Sequence, residues 1–189
     1  VEVGGAEEVC WTSTVLFDAM GALSTRRNSD PLTASRPFDR DRDGFVIAGG
    51  SAVLLLEAEE VARRRGARIY GEIAGYGATS DSADMVQPNA DGVARAIRAA
   101  LVEAGHPTID YINPPATSTP SGDVAELDAI RTVFGEDIPT ISATKGLTGH
   151  SIAAISAQEA IFCLLMMRDS FVAASSNLVN ADDGYDQMP

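Results

Sequence analysis

Between residues 150 and 167 the chain is apolar around nearly the whole circumference of a helix, broken only by His150, Ser151, Ser156, Gln158 and Glu159. A helix without a polar face must be covered on all sides, so this segment predicts a central element with the fold built around it. It is no membrane span: no apolar run reaches the roughly 20 residues that a bilayer requires. At 45% hydrophobic content, 189 residues suffice for one sizeable core, and a single globular unit is expected.

Upstream, strand and helix patterns alternate. Residues 7–23 are partly helical, with Val9, Leu16, Ala19, Met20 and Leu23 apolar. Residues 24–44 read as a polar loop that carries Pro31, Pro37 and five charges from Asp39 to Asp43. A β-rich run starts at Phe45, is interrupted by Gly49 and Gly50, and resumes over 52–56, as expected of a strand with a bulge or a close backbone approach. Residues 57–65 form a helix with acids first and arginines last, and Gly66 sits at its C′ position. A strand over 68–77, a helix over 91–104 and a strand at Tyr111 and Ile112 follow. The next helix covers 123–134, with Asp123 as N-cap, Glu126 three residues later and Val124, Leu127, Ile130 and Phe134 inward. After the central helix come a strand over 171–174 and a polar segment, 180–189, without a closing element. The alternation implies an α/β fold.

A formal net charge of -13 opposes nucleic-acid binding, which rewards a basic face. Arg63, Arg64, Arg65 and Arg68 form one basic cluster and Arg36, Arg40 and Arg42 another; each reads either as a patch for an acidic partner or as a solvated helix end and a charged loop. Cys10 and Cys163 lack CxxC spacing and make no zinc site with His106 and His150, so a reduced, cytoplasmic protein is expected. The first residue is Val1, with no signal-peptide pattern after it, and the chain reads as a fragment.

Three segments carry candidate chemistry. Residues 143–150 place Lys145 and His150 in a Gly/Thr-rich turn that leads into the apolar helix. A histidine there can donate to a developing oxyanion and a lysine biases the field toward anions; an ordinary helix-start loop has the same composition. Glu159 lies nine positions after His150, and a carboxylate on an apolar helix needs a partner, such as a cation, or a narrow exposed edge. Residues 113–123 follow a strand and precede a helix, where α/β folds bind ligands, and their hydroxyls suit either a polar ligand arm or plain N-cap chemistry.

Several stretches together resemble a known family: Phe17-Asp18-Ala19-Met20-Gly21-Ala22-Leu23-Ser24, Asp43-Gly44-Phe45-Val46-Ile47-Ala48-Gly49-Gly50, Gly75-Tyr76-Gly77-Ala78-Thr79-Ser80-Asp81, Thr117-Ser118-Thr119-Pro120-Ser121-Gly122-Asp123 and Ala143-Thr144-Lys145. In this order they are similar to the β-ketoacyl-acyl-carrier-protein synthases of the type I kind, to about residue 178. The resemblance implies the thiolase-like layered αβαβα fold, here incomplete, with residues 1–105 the end of its N-terminal half and 106–189 a truncated C-terminal half. It implies decarboxylative Claisen condensation with a malonyl-carrier protein in fatty acid biosynthesis, in which a cysteine first takes the acyl chain as a thioester. Lys145 would organise the site electrostatically, His150 would stabilise the enolate or oxyanion, and Glu159 would support the network, sharing a monovalent cation with Asn113. Thr117 and Thr119 would hydrogen-bond the phosphopantetheine arm, which arrives on an acyl carrier protein, so no resident cofactor is expected. A homodimer without nucleic-acid or membrane partners is implied.

The chain departs from the family pattern in three ways. The family's nucleophilic cysteine would fall before the point that matches Val1, and neither Cys10 nor Cys163 occupies its place. Where the family reads Asn-x-His-Gly-Thr-x-Thr, this chain has Asn113-Pro114-Pro115-Ala116-Thr117-Ser118-Thr119, so Pro115 replaces the first active-site histidine. Proline offers no side-chain donor and no N–H, and losing one such donor costs about 2.7–4 kcal/mol of transition-state stabilisation. Pro115 also raises the alternative of a non-condensing homologue, a partner subunit or an acyl-transfer-only domain. A glycine- and phenylalanine-rich loop near the family's C-terminus is missing as well. The expectation is that this polypeptide alone neither condenses nor folds stably.

Overall fold

The computed structural model describes residues 1–81, 84, 87–183 and 185. β1 (Glu2–Glu7) leads into α1 (Trp11–Ala19), and a long connection reaches β2 (Gly50–Leu55) and α2 (Glu59–Arg64). Next come α3 (Ala90–Glu103), β3 (Tyr111–Ile112), α4 (Pro120–Phe134), β4 (Thr140–Ile141), α5 (Lys145–Thr148) and α6 (Ile155–Asp169). β1 pairs antiparallel with β2, Val3 opposite Leu54 and Gly5 opposite Ala52, while β3 and β4 pair in parallel around α4 as a βαβ unit. The α/β alternation read from the sequence is therefore present, and α3 packs on α4.

α6 crosses the β1–β2 sheet. The approach is close because Gly5 has no side chain: a Cβ there would lie 1.9 Å from the Ala153 carbonyl oxygen. The apolar helix is less enclosed than its pattern predicts, with Ile155, Glu159 and Met166 buried and Leu165 and Met167 exposed. It also starts later than expected. His150 belongs to no helix because its main chain is used elsewhere: its N–H donates to Val46 (2.8 Å), its carbonyl accepts from Ala48 (3.0 Å), and Ile47 forms a bridge with it.

The main core gathers Phe38, Ala116, Leu127, Ile130, Ile141 and Ala143 between α4 and the β3–β4 pair. Phe38 comes from the connection read as a polar loop, and that reading is corrected. Residues 34–39 are all buried, as are Arg42, Gly44 and Phe45. Arg36 pairs with Asp39 at 2.9 Å, and Arg42 with Asp123 at 3.4 Å and with Asp182, so these charges face each other inside rather than solvent. Of this cluster only Arg40 stays exposed, beside Asp183. In the other basic cluster Arg63 pairs with Glu59, Arg65 with Glu57, and Arg68 lies over the Tyr70 ring.

Other expectations shift for local reasons. Phe45 and Ile47 form only isolated bridges. Residues 68–77 pair with no strand among the described residues; Gly75 and Gly77 lie against the backbone of α3 and Tyr76 N–H donates to Glu103 (2.8 Å). Residues 171–174 form no strand either, and Ala173 N–H is given to the Met166 sulfur. α4 begins at Pro120 with Thr119 as N-cap, since a proline suits the first helical position. Asp123 therefore sits inside the first turn, where it accepts from Phe38 N–H (2.8 Å) and Thr119 N–H (3.3 Å). The polar end over 180–189 lies partly outside the described residues.

Candidate active site

Lys145 opens α5 directly after β4, and its carbonyl accepts from Ser35 Oγ at 2.6 Å. The side chain is 2% exposed and its Nζ donates to both oxygens of Glu159 at 2.7 Å. Thr144 Oγ1 adds a third bond to Oε1 at 2.9 Å. This answers the two readings of Glu159: it is buried and paired, and the cation is a lysine. A metal cation beside Asn113 would compete with that ammonium for the same carboxylate, while Asn113 Nδ2 is turned to Ser142 O (3.4 Å).

His150 lines a cavity of about 490 Å³ together with Lys145, Glu159, Asn113, Thr117 and Pro115. Burial, then the charge of Lys145, lowers its pKa to about 4, so the imidazole is neutral near pH 7. Nδ1 is buried without a partner among the described residues, and the ring meets Phe45 edge-on with centroids 5.2 Å apart. A neutral imidazole beside a buried ammonium can donate to an oxyanion without carrying a charge of its own.

His150 and Thr117 also line a second cavity of about 600 Å³, together with Thr119, Phe17 and Glu126. The Thr117 and Thr119 hydroxyls lie 3.1 Å apart, and Gly122 leaves room for the second of them, since a Cβ there would fall 2.3 Å from Thr119 Oγ1. The five residues singled out from the sequence thus converge on two cavities that share a wall. Cys10, at the N-cap of α1, lines neither; Cys163 lines the first, with its thiol pushed up by burial and by Glu159.

The sequence reading took Asp123 and Glu126 for a capping pair and missed that both are buried. Glu126 accepts from Ala116 N–H at 2.7 Å, and burial pushes its carboxyl up to about 8. Burial likewise raises Asp123 to about 6, against the pull of Phe38 N–H and Arg42. Their signal was available: Asp123 and Glu126 are spaced with Leu127 and Ile130 on the inward face of α4, where an acid is costly.

Two family models match the chain. The β-ketoacyl synthase C-terminal domain covers residues 70–179 and the β-ketoacyl synthase N-terminal domain residues 2–62. The chain belongs to the β-ketoacyl synthase family. It is 54% identical over 183 residues to the 3-oxoacyl-acyl-carrier-protein synthase 1 of Haemophilus influenzae and to that of Escherichia coli, covering 97% of this chain and 45% of each relative. It therefore spans about half the length of these relatives. A β-ketoacyl synthase structure from Burkholderia phymatum superposes with a TM-score of 0.93 at 43% identity over 96% of this chain and 45% of that one. A ketosynthase solved with its type II polyketide acyl-carrier protein and a hexaketide superposes with a TM-score of 0.92 at 36% identity, over 96% of this chain and 46% of that one. The α/β chain thus has the thiolase-like ketosynthase fold.

Proposed function

We propose that the protein carrying this chain is a β-ketoacyl-acyl-carrier-protein synthase that elongates acyl chains in fatty acid biosynthesis by decarboxylative Claisen condensation. The observation that carries the reading is that the buried Lys145–Glu159 pair and a neutral His150 line one cavity together with Thr117, whose hydroxyl is paired with that of Thr119.

An acyl group enters as a thioester on a cysteine other than Cys10 and Cys163, and the carrier thiol leaves. The malonyl thioester then loses CO₂, and the electron pair of that C–C bond becomes an enolate whose oxygen accepts from His150. Lys145, held in place by Glu159, which also accepts from the Thr144 hydroxyl, adds a positive field that favours this anion. Attack of the carbanion on the acyl thioester releases the cysteine as thiolate and forms the 3-oxoacyl product. Thr117 and Thr119 hold the phosphopantetheine arm of an acyl carrier protein, so the enzyme needs no resident cofactor. It works as a homodimer in the cytoplasm.

The test is product formation by the protein that carries this chain, supplied with acyl- and malonyl-carrier proteins and read by mass spectrometry as the 3-oxoacyl adduct. His150→Ala is expected to lower the rate by about 10²–10³, as removal of an oxyanion donor does. No product at any acyl length, or full turnover by His150→Ala, overturns the reading.

A further inference from the structure

Thr117 and Thr119 stand on a loop that does not hold its own shape. Ala116 (φ 36°) and Ser118 (φ 68°), on either side of Thr117, lie in the left-handed region, which is strained for a residue with a side chain. Such strain persists only where the surroundings over-determine it.

Here the surroundings are the buried connection between α1 and β2. Arg36 N–H donates to Ser118 Oγ and Gly44 N–H to the Ser118 carbonyl, both at 3.0 Å. The firmest grip is that of Arg42, whose side chain is 4% exposed. Its Nε donates to the Thr119 carbonyl at 3.0 Å, its Nη2 to the Pro120 carbonyl at 2.7 Å and its Nη1 to the Asp39 carbonyl at 2.8 Å, while Asp123 and Asp182 balance the charge.

A cation at the first turn of α4 opposes the helix dipole, so stabilising α4 does not explain it. The planar fork of a guanidinium is suited to something else, namely gripping two successive carbonyls at once. One of those carbonyls belongs to Thr119, which lines the second cavity and whose hydroxyl is paired with that of Thr117.

We propose that Arg42 is a positioning residue that fixes the Thr117–Thr119 hydroxyl pair in register to receive the amide-bearing arm of phosphopantetheine. It touches no substrate and acts through the backbone of the loop. The assignment rests on the function proposed above and adds to it the determinant of substrate-arm affinity.

Arg42→Lys keeps the charge and removes the fork. In the protein that carries this chain, KM for the carrier-bound acyl substrate and for an acyl-pantetheine thioester is measured beside kcat and the thermal midpoint. Arg42→Lys is expected to raise both KM values about tenfold with a much smaller change in kcat, and to lose that effect in a Thr117→Val/Thr119→Val background. A KM that is unchanged, that rises only in step with a fall in kcat, or that rises equally in the double-valine background overturns the assignment. Absence of turnover in the unsubstituted protein is a different failure and overturns the functional reading together with this one. A crystal structure of Arg42→Lys supplies an arm that needs no substrate: retention of the 3.1 Å hydroxyl separation with Ser118 still left-handed would also refute the role.

Discussion

At the scale of the residue, the cavity is held by an ion pair that leaves its neighbour uncharged. Lys145 spends its charge on Glu159, yet its field still helps to keep His150 neutral. Pro115 lines the same cavity, solvent-exposed, with neither a side-chain donor nor an N–H to offer. His150 is therefore the one imidazole among the named residues that line this cavity. Pro115→His adds a donor at a site with room for it and is expected to raise malonyl decarboxylation by about 10²–10³. The measurement is release of CO₂ from malonyl-carrier protein, and a rate equal to that of the Pro115 protein would mean that residue 115 does not face the reacting carbonyl.

At the scale of the element, the relation of α6 to the β1–β2 sheet decides where Glu159 sits. Gly5 lets the chain just before α6 lie against β1, and Glu159 follows in the next turn to meet Lys145. Gly5→Ala would place a methyl group against the Ala153 carbonyl, and overpacking of this kind costs about 1–3 kcal/mol. Urea unfolding should show a lowered midpoint with an unchanged slope; an unchanged midpoint would mean that the sheet and α6 part without cost. The helices themselves were largely legible because amphipathic spacing is a local property: α2 and α3 fall within a residue or two of their expected spans. The strands expected over 68–77 and 171–174 do not form, because a strand needs a partner and alternation in one segment does not report one.

At the scale of the whole molecule, the network behind the cavity links segments far apart in sequence. Asp39 accepts from Arg36 and from the Val179 and Asn180 N–H groups; burial works to raise its carboxyl, but these donors outweigh it and hold it well below the usual carboxylate range. Glu126 goes the other way. Its pKa is pushed up to about 8, against an ordinary 4.5, so between those values the folded state keeps a proton that the unfolded state has lost. Its contribution is complete below pH 4.5 and is lost as pH rises to 8. His150, lowered from 6.5 to about 4, has the opposite sign: its contribution is present above 6.5 and is lost as pH falls toward 4. Denaturant unfolding from pH 4 to 9 should therefore show an alkaline decline that Glu126→Gln removes, and an identical decline in that variant would place the titration elsewhere. The sequence alone determined the α/β alternation, the family likeness, and Lys145, His150, Glu159, Thr117 and Thr119 as the residues to watch, since period and motif are written along the chain. Only the tertiary structure decided that residues 34–39, Arg42, Asp123 and Glu126 lie inside. A charge can be buried only when a partner reaches it, and Arg42 and Asp123 meet through space, which no one-dimensional pattern records.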